Sequence, residues 1–288
     1  MIAFGLFLLR VLRRAFGLRE EEAVIGGVRT VYSEGGAGEP LILLHGMGAS
    51  RATFDAVAPA LLRRYRLIIP DMPNYGESGR SSEGEYGIDS MVRWFERLVS
   101  HLGLERFHLG GNSLGGWVAA SYAARHPGQV QSLWLIDAAG TGEMLDTEAA
   151  EARQREGRYL LLPRTVDEFD QVMRRVFHNP PPMPRLVREM GARMAAEKFP
   201  LHKRIFDHIF EGFERYRLEP ALPEITAPTL LMWGERDQIV PLAAMRRFQE
   251  LIPGARRVVI PDSGHVPQME APRQAAEGYL RFRDSLIG

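Results

Sequence analysis

The 288-residue chain contains no cysteine. This excludes disulfides, cysteine nucleophiles and thiolate metal sites, and leaves the redox compartment open. Neither sign of charge is in excess, since Lys+Arg and Asp+Glu are both 36. No global field therefore draws in nucleic acid or a strongly charged substrate, and any partner must be recognised locally. The patterns HExxH, GxGxxG after a strand and GxxxxGK are missing, so no metal, dinucleotide or other cofactor is expected. No apolar run reaches the roughly 20 residues needed to span a bilayer.

What is present suffices for a sizeable core, with 45% hydrophobic residues in one large domain or a domain carrying an insertion. The N-terminus departs from the average. Between Met1 and Leu18 the only charges are Arg10, Arg13 and Arg14, which share one helical stripe with Gly17. That pattern predicts a basic amphipathic helix over 1–20, suited to lying in a membrane interface with its arginines at the headgroups. A packed surface helix and a secretory signal are the competing readings.

Further along, apolar strands alternate with helices, which argues for an α/β fold with a mostly parallel sheet. A hairpin is predicted from Ala23 to Tyr32, turned at Gly26-Gly27. Leu41 to Leu44 reads as a strand buried on both faces, followed by a glycine loop and a helix through about Arg64. The strands Leu67 to Ile69, Ser132 to Asp137, Thr229 to Trp233 and Arg257 to Ile260 follow. Between about Thr141 and Pro223 this rhythm stops and the chain reads as amphipathic helix. The predicted organisation is a core over 21–140 and 224–288, with a helical cap inserted over 141–223, where it would cover the strand ends.

The segment Gly110-Gly111-Asn112-Ser113-Leu114-Gly115-Gly116 stands between a short strand and an alanine-rich helix. GxSxG is a common chance pattern in a chain with 29 Gly, and by itself reads equally well as a turn with a surface serine. Its setting favours a nucleophile elbow, in which the turn is too tight for side chains at Gly111 and Gly115 and Ser113 is pushed out at the top of the sheet. A serine hydroxyl needs a neutral imidazole to take its proton, and that imidazole needs a carboxylate to fix its tautomer. His265, in a glycine loop after a strand, is the candidate base. Asp237, at a strand end, is the candidate acid, with Asp137 and Asp262 as alternatives whose plain reading is turn or cap carboxylates.

With these motifs the chain resembles the α/β-hydrolases from about Ala23 to Leu286. The likeness rests on the HG-type loop His45 to Gly48, the loop Asp71 to Ser78, the GNSLGG elbow, WGERDQIVP at Trp233 to Pro241 and GHVPQMEAP at Gly264 to Pro272. Asn74 stands where relatives often carry glycine, and asparagine also accepts a left-handed backbone. The resemblance implies the triad Ser113, Asp237 and His265, an oxyanion hole from the backbone amides of Met47 and Leu114, and no cofactor. The elbow and the sequence after it resemble bacterial relatives of membrane-associated monoacylglycerol lipases. Expected substrates are therefore medium- or long-chain esters, contacted by His45 and Gly46; the flexible methionines of the insertion, Met173 and Met190 among them, add an expected acyl-chain contact, with the insertion's own core as the competing reading. Carbon–carbon hydrolases of ring-cleavage dienoates are the runner-up, although they often carry an aromatic residue where Val266 follows the histidine. A perhydrolase and a silent binding scaffold are further alternatives. The expected location is cytoplasmic, peripheral at the inner membrane, with no nucleic-acid partner; the oligomeric state is left open.

Overall fold

The computed structural model describes residues 13–82 and 84–287. Eight strands form one sheet: β1 (Leu18–Ile25), β2 (Val28–Gly35), β3 (Glu39–Leu44), β4 (Tyr65–Pro70), β5 (Phe107–Asn112), β6 (Val130–Ile136), β7 (Thr229–Gly234) and β8 (Arg256–Ile260). Their spatial order is β1-β2-β4-β3-β5-β6-β7-β8. The β1–β2 and β2–β4 pairs are antiparallel and the remaining pairs parallel.

The apolar runs of the central strands are explained by burial on both faces, because successive side chains point to opposite sides of a strand. Ile42, Leu44, Leu133, Leu135, Leu231 and Trp233 enter one core. Leu41, Leu43, Trp134, Ile136, Leu230 and Met232 enter the other. The first core is closed by helices α1 (Ile88–His101), α2 (Leu114–Arg125) and, later in the chain, α6 (Leu242–Leu251). The second is closed by Phe54 to Leu61 and by α7 (Pro272–Asp284). Between β6 and β7 run the long cap helices α3 (Glu148–Glu156), α4 (Val166–Val176) and α5 (Arg185–Glu211).

Two expectations need correction. The helix expected through Arg64 is a 3₁₀ turn, Arg51–Phe54, and a separate short helix, Ala58–Leu61. Pro59 stands in the first turn of the second piece and has no N–H to carry a helix through from the first. At the N-terminus, β1 begins at Leu18, inside the segment expected to be helical, and carries the acidic run Glu20 to Glu22 along the hairpin. Gly17 turns the chain into it with a φ of 87°, a conformation open to glycine. Most of the expected amphipathic helix, residues 1–12, lies outside the described residues. Arg13 does not face outward, because its Nε donates to both carboxylate oxygens of Asp55 at 2.9 and 3.0 Å. Among the described residues no helix is long and apolar enough to cross a membrane.

Candidate active site

The elbow joins β5 to α2. Ser113 has φ 55° and ψ −119°, a conformation that strains a residue bearing a Cβ. A Cβ on Gly111 would lie 2.2 Å from the Gly115 carbonyl oxygen, and one on Gly115 would lie 2.1 Å from that of Leu44. No side chain fits at either position, so the two glycines permit the turn. Leu114 opens α2, and the first amides of a helix have no partner within it. The loop bearing Met47 passes close by, since a Cβ on Gly46 would sit 3.1 Å from Ser113 Cβ.

On the far side of the elbow, His265 Nδ1 donates to Asp237 Oδ2 at 2.8 Å, with side chains 7% and 0% exposed. The other Asp237 oxygen accepts the amides of Ile239 and Val240 at 2.7 and 3.1 Å. Asp237 is thus fixed by its own turn before it meets the imidazole. Asp137 is also near: one side-chain oxygen or nitrogen of each of Asp137, Asp237 and His265 lies within 4.8 Å of the other two. Asp262 is exposed, with φ 52°, and its carbonyl accepts from Asn179.

His45 occupies a different place from the one expected for a substrate contact. It is completely buried, its Nε2 accepts the Met72 amide at 3.0 Å, and its Nδ1 lies 2.8 Å from the Gly46 carbonyl. Burial holds its pKa below the usual imidazole range, so the ring is a neutral brace between two loops. The second loop is built around Asp71, whose carboxylate accepts the Arg51 and Glu77 amides at 2.7 and 2.9 Å and pairs with the Arg51 guanidinium. Asn74 has φ 74°, the left-handed conformation its side chain tolerates.

An apolar cavity, open to solvent and with about 530 Å³ of empty space, lies over Ser113. Met47, Leu114 and Trp117 line it from the core, and Met144, Leu161, Phe206, Ile209 and Phe210 from the insertion. Met173 and Met190 lie outside this lining. They belong to α4 and α5, which pack so closely that a Cβ on Gly191 would meet the Phe169 ring at 2.8 Å, and their half-buried side chains sit within the cap.

Three positions escaped the sequence reading. Asn112 Nδ2 donates to the carbonyls of Ile136 and His265, both at 3.1 Å, tying the elbow to the histidine loop. The His265 amide donates to Val176 O at 2.8 Å, which pins that loop to the end of α4. Glu270 accepts the amides of Gly264 at 2.7 Å and Asn179 at 3.0 Å. Asn112 and Glu270 stand inside the quoted GNSLGG and GHVPQMEAP segments without a role having been read for either; for the Val176 carbonyl there is no signal.

Residues 39–272 match the model of a family described as "alpha/beta hydrolase fold". The chain is 33% identical over 263 residues to Lipase 1 of Psychrobacter immobilis, covering 90% of this chain and 82% of that protein. It is 29% identical over 289 residues to monoacylglycerol lipase abhd6-A of Xenopus laevis, covering 95% and 85%. The crystal structure of a membrane phospholipase A, a bacterial virulence factor, is similar with a TM-score of 0.93 and 33% identity, covering 99% of this chain and 92% of the other.

Proposed function

This chain belongs to the α/β-hydrolase family and is a carboxylic ester hydrolase of the lipase type, and on that premise we propose that it cleaves medium- or long-chain acyl esters of lipids, monoacylglycerols among them. Ser113 attacks the ester carbonyl while His265 takes the hydroxyl proton, and Asp237 holds the imidazole in the tautomer that leaves Nε2 free to do so. The amides of Met47 and Leu114 stabilise the oxyanion. His265 then returns the proton to the departing alcohol, and a water activated by the same imidazole releases the fatty acid from Ser113.

The observation that carries the substrate class is the cavity wall of Met144, Leu161, Phe206, Ile209 and Phe210 over Ser113. A chain lying there buries methylenes at about 0.8 kcal/mol each, so kcat/KM should rise several-fold for each added pair of carbons until the space is filled. A series of esters of increasing acyl length, kept below micelle formation and joined by 1- and 2-monoacylglycerols, measures this. Activity peaking at acetate, with monoacylglycerols untouched and a ring-cleavage dienoate cleaved, would replace the lipase reading with carbon–carbon hydrolysis.

The basic apolar N-terminus supports a peripheral membrane role. Arg13 is occupied by Asp55 and Leu18 by the sheet, so binding falls to the residues before Arg13 and to Arg14, at roughly 1 kcal/mol per arginine on an anionic surface. Removing residues 1–12 should abolish co-sedimentation with anionic vesicles and leave hydrolysis of soluble esters intact. Equal pelleting of the two proteins would refute the anchor.

A further inference from the structure

Asp137 directly follows β6 with φ 43° and is entirely buried. One carboxyl oxygen, Oδ1, accepts the Gly234 amide at 2.9 Å. The other, Oδ2, is buried and no N–H or hydroxyl among the described residues donates to it. One oxygen of this carboxyl lies within 4.8 Å of an Asp237 carboxylate oxygen and of a His265 ring nitrogen. Two carboxylates only accept, so they can share a hydrogen bond only if one of them is protonated. Asp237 already receives three donors, from His265, Ile239 and Val240, whereas Asp137 receives one. The proton therefore belongs on Asp137.

We infer that Asp137 is a positioning residue for ester hydrolysis: a neutral carboxylic acid whose Oδ2–H donates to the Asp237 carboxylate and fixes it against His265. Burial, and after it the negative charge of Asp237, hold its pKa well above the usual carboxylate range, and Glu270 adds repulsion from the histidine loop. In this arrangement the Asp137–Asp237 pair carries one negative charge rather than two beside the imidazole, and every oxygen of the pair has a donor or a proton. A polar group buried without a partner loses its hydration uncompensated, which the shared proton avoids.

The inference rests on the serine-hydrolase reading, and two variants separate it from that reading. Asp137→Gly suits the left-handed backbone and removes the carboxyl; kcat should fall about 10- to 100-fold as Asp237 loosens. Asp137→Asn keeps an acceptor for Gly234 and a donor for Asp237, so it should restore kcat to within about fivefold and leave the acid limb of the kcat/KM pH profile in place. Were Asp137 ionised, the Asn change would remove a negative charge beside the imidazole and move that limb to lower pH by roughly one to three units. Such a shift, or full kcat in Asp137→Gly, overturns the inference. Difference infrared spectroscopy at neutral pH supplies an arm independent of turnover: the wild-type protein should show the carbonyl stretch of a protonated carboxylic acid that Asp137→Asn lacks. Its absence from the wild type also overturns the proposal, whereas loss of ester turnover in the wild type with the band present counts against the hydrolase reading alone.

Discussion

Replacing Ser113 with alanine should lower turnover of a soluble ester by about 10⁴- to 10⁶-fold while the protein stays folded. The size of the loss follows from the geometry. Ser113 sits where the chain is forced into a left-handed turn between Gly111 and Gly115, on the wall of the apolar cavity. Alanine bears the same Cβ and so the same backbone strain, which makes the change a test of the hydroxyl alone. Ser113→Gly relieves that strain and should be equally inactive but more stable by about 1 kcal/mol. A Ser113→Ala protein with wild-type kcat, checked by thermal melting to be folded, would remove the nucleophile from this position.

The second large effect is expected at Asp237. Asp237→Asn should reduce kcat by about 10³- to 10⁴-fold. The Ile239 and Val240 amides hold one side-chain oxygen, so in the variant the carbonyl oxygen stays there and the new NH₂ faces His265 Nδ1. That group can only donate, and the imidazole must then accept at Nδ1 and carry its proton on Nε2, the atom that receives the serine proton in the proposed mechanism. Side-by-side kinetics of the Asn variants at 137, 237 and 262 decide the assignment. A severe loss at 137 with little at 237 would transfer the acid to β6.

The sheet was legible because its central strands are buried on both faces, and such strands can only be written as runs like Leu41 to Leu44 and Leu133 to Ile136. The elbow was legible because a Cβ cannot fit at Gly111 or Gly115, a local constraint that leaves a local signature. What could not be read is long-range. Asp137 and Asp237 meet across adjacent β6 and β7 although the whole cap lies between them in the chain, and nothing near either residue announces the other. The cavity wall is similar. Phe206, Ile209 and Phe210 share one face of a 27-residue helix, and only the fold shows that this face, rather than the one bearing Met190, looks toward Ser113. His45 was misplaced for a related reason: the glycine loop marks where its backbone runs, but its ring is consumed by the Met72 amide.

The most direct test of the proposed chemistry is covalent capture. After brief treatment with an alkyl fluorophosphonate, peptide mass spectrometry of the full-length protein should place a single adduct on Ser113, absent from Ser113→Ala and formed much more slowly in Asp237→Asn. An adduct on another serine that accompanies loss of activity, or full activity in protein labelled at Ser113, would contradict an acyl-enzyme at this site.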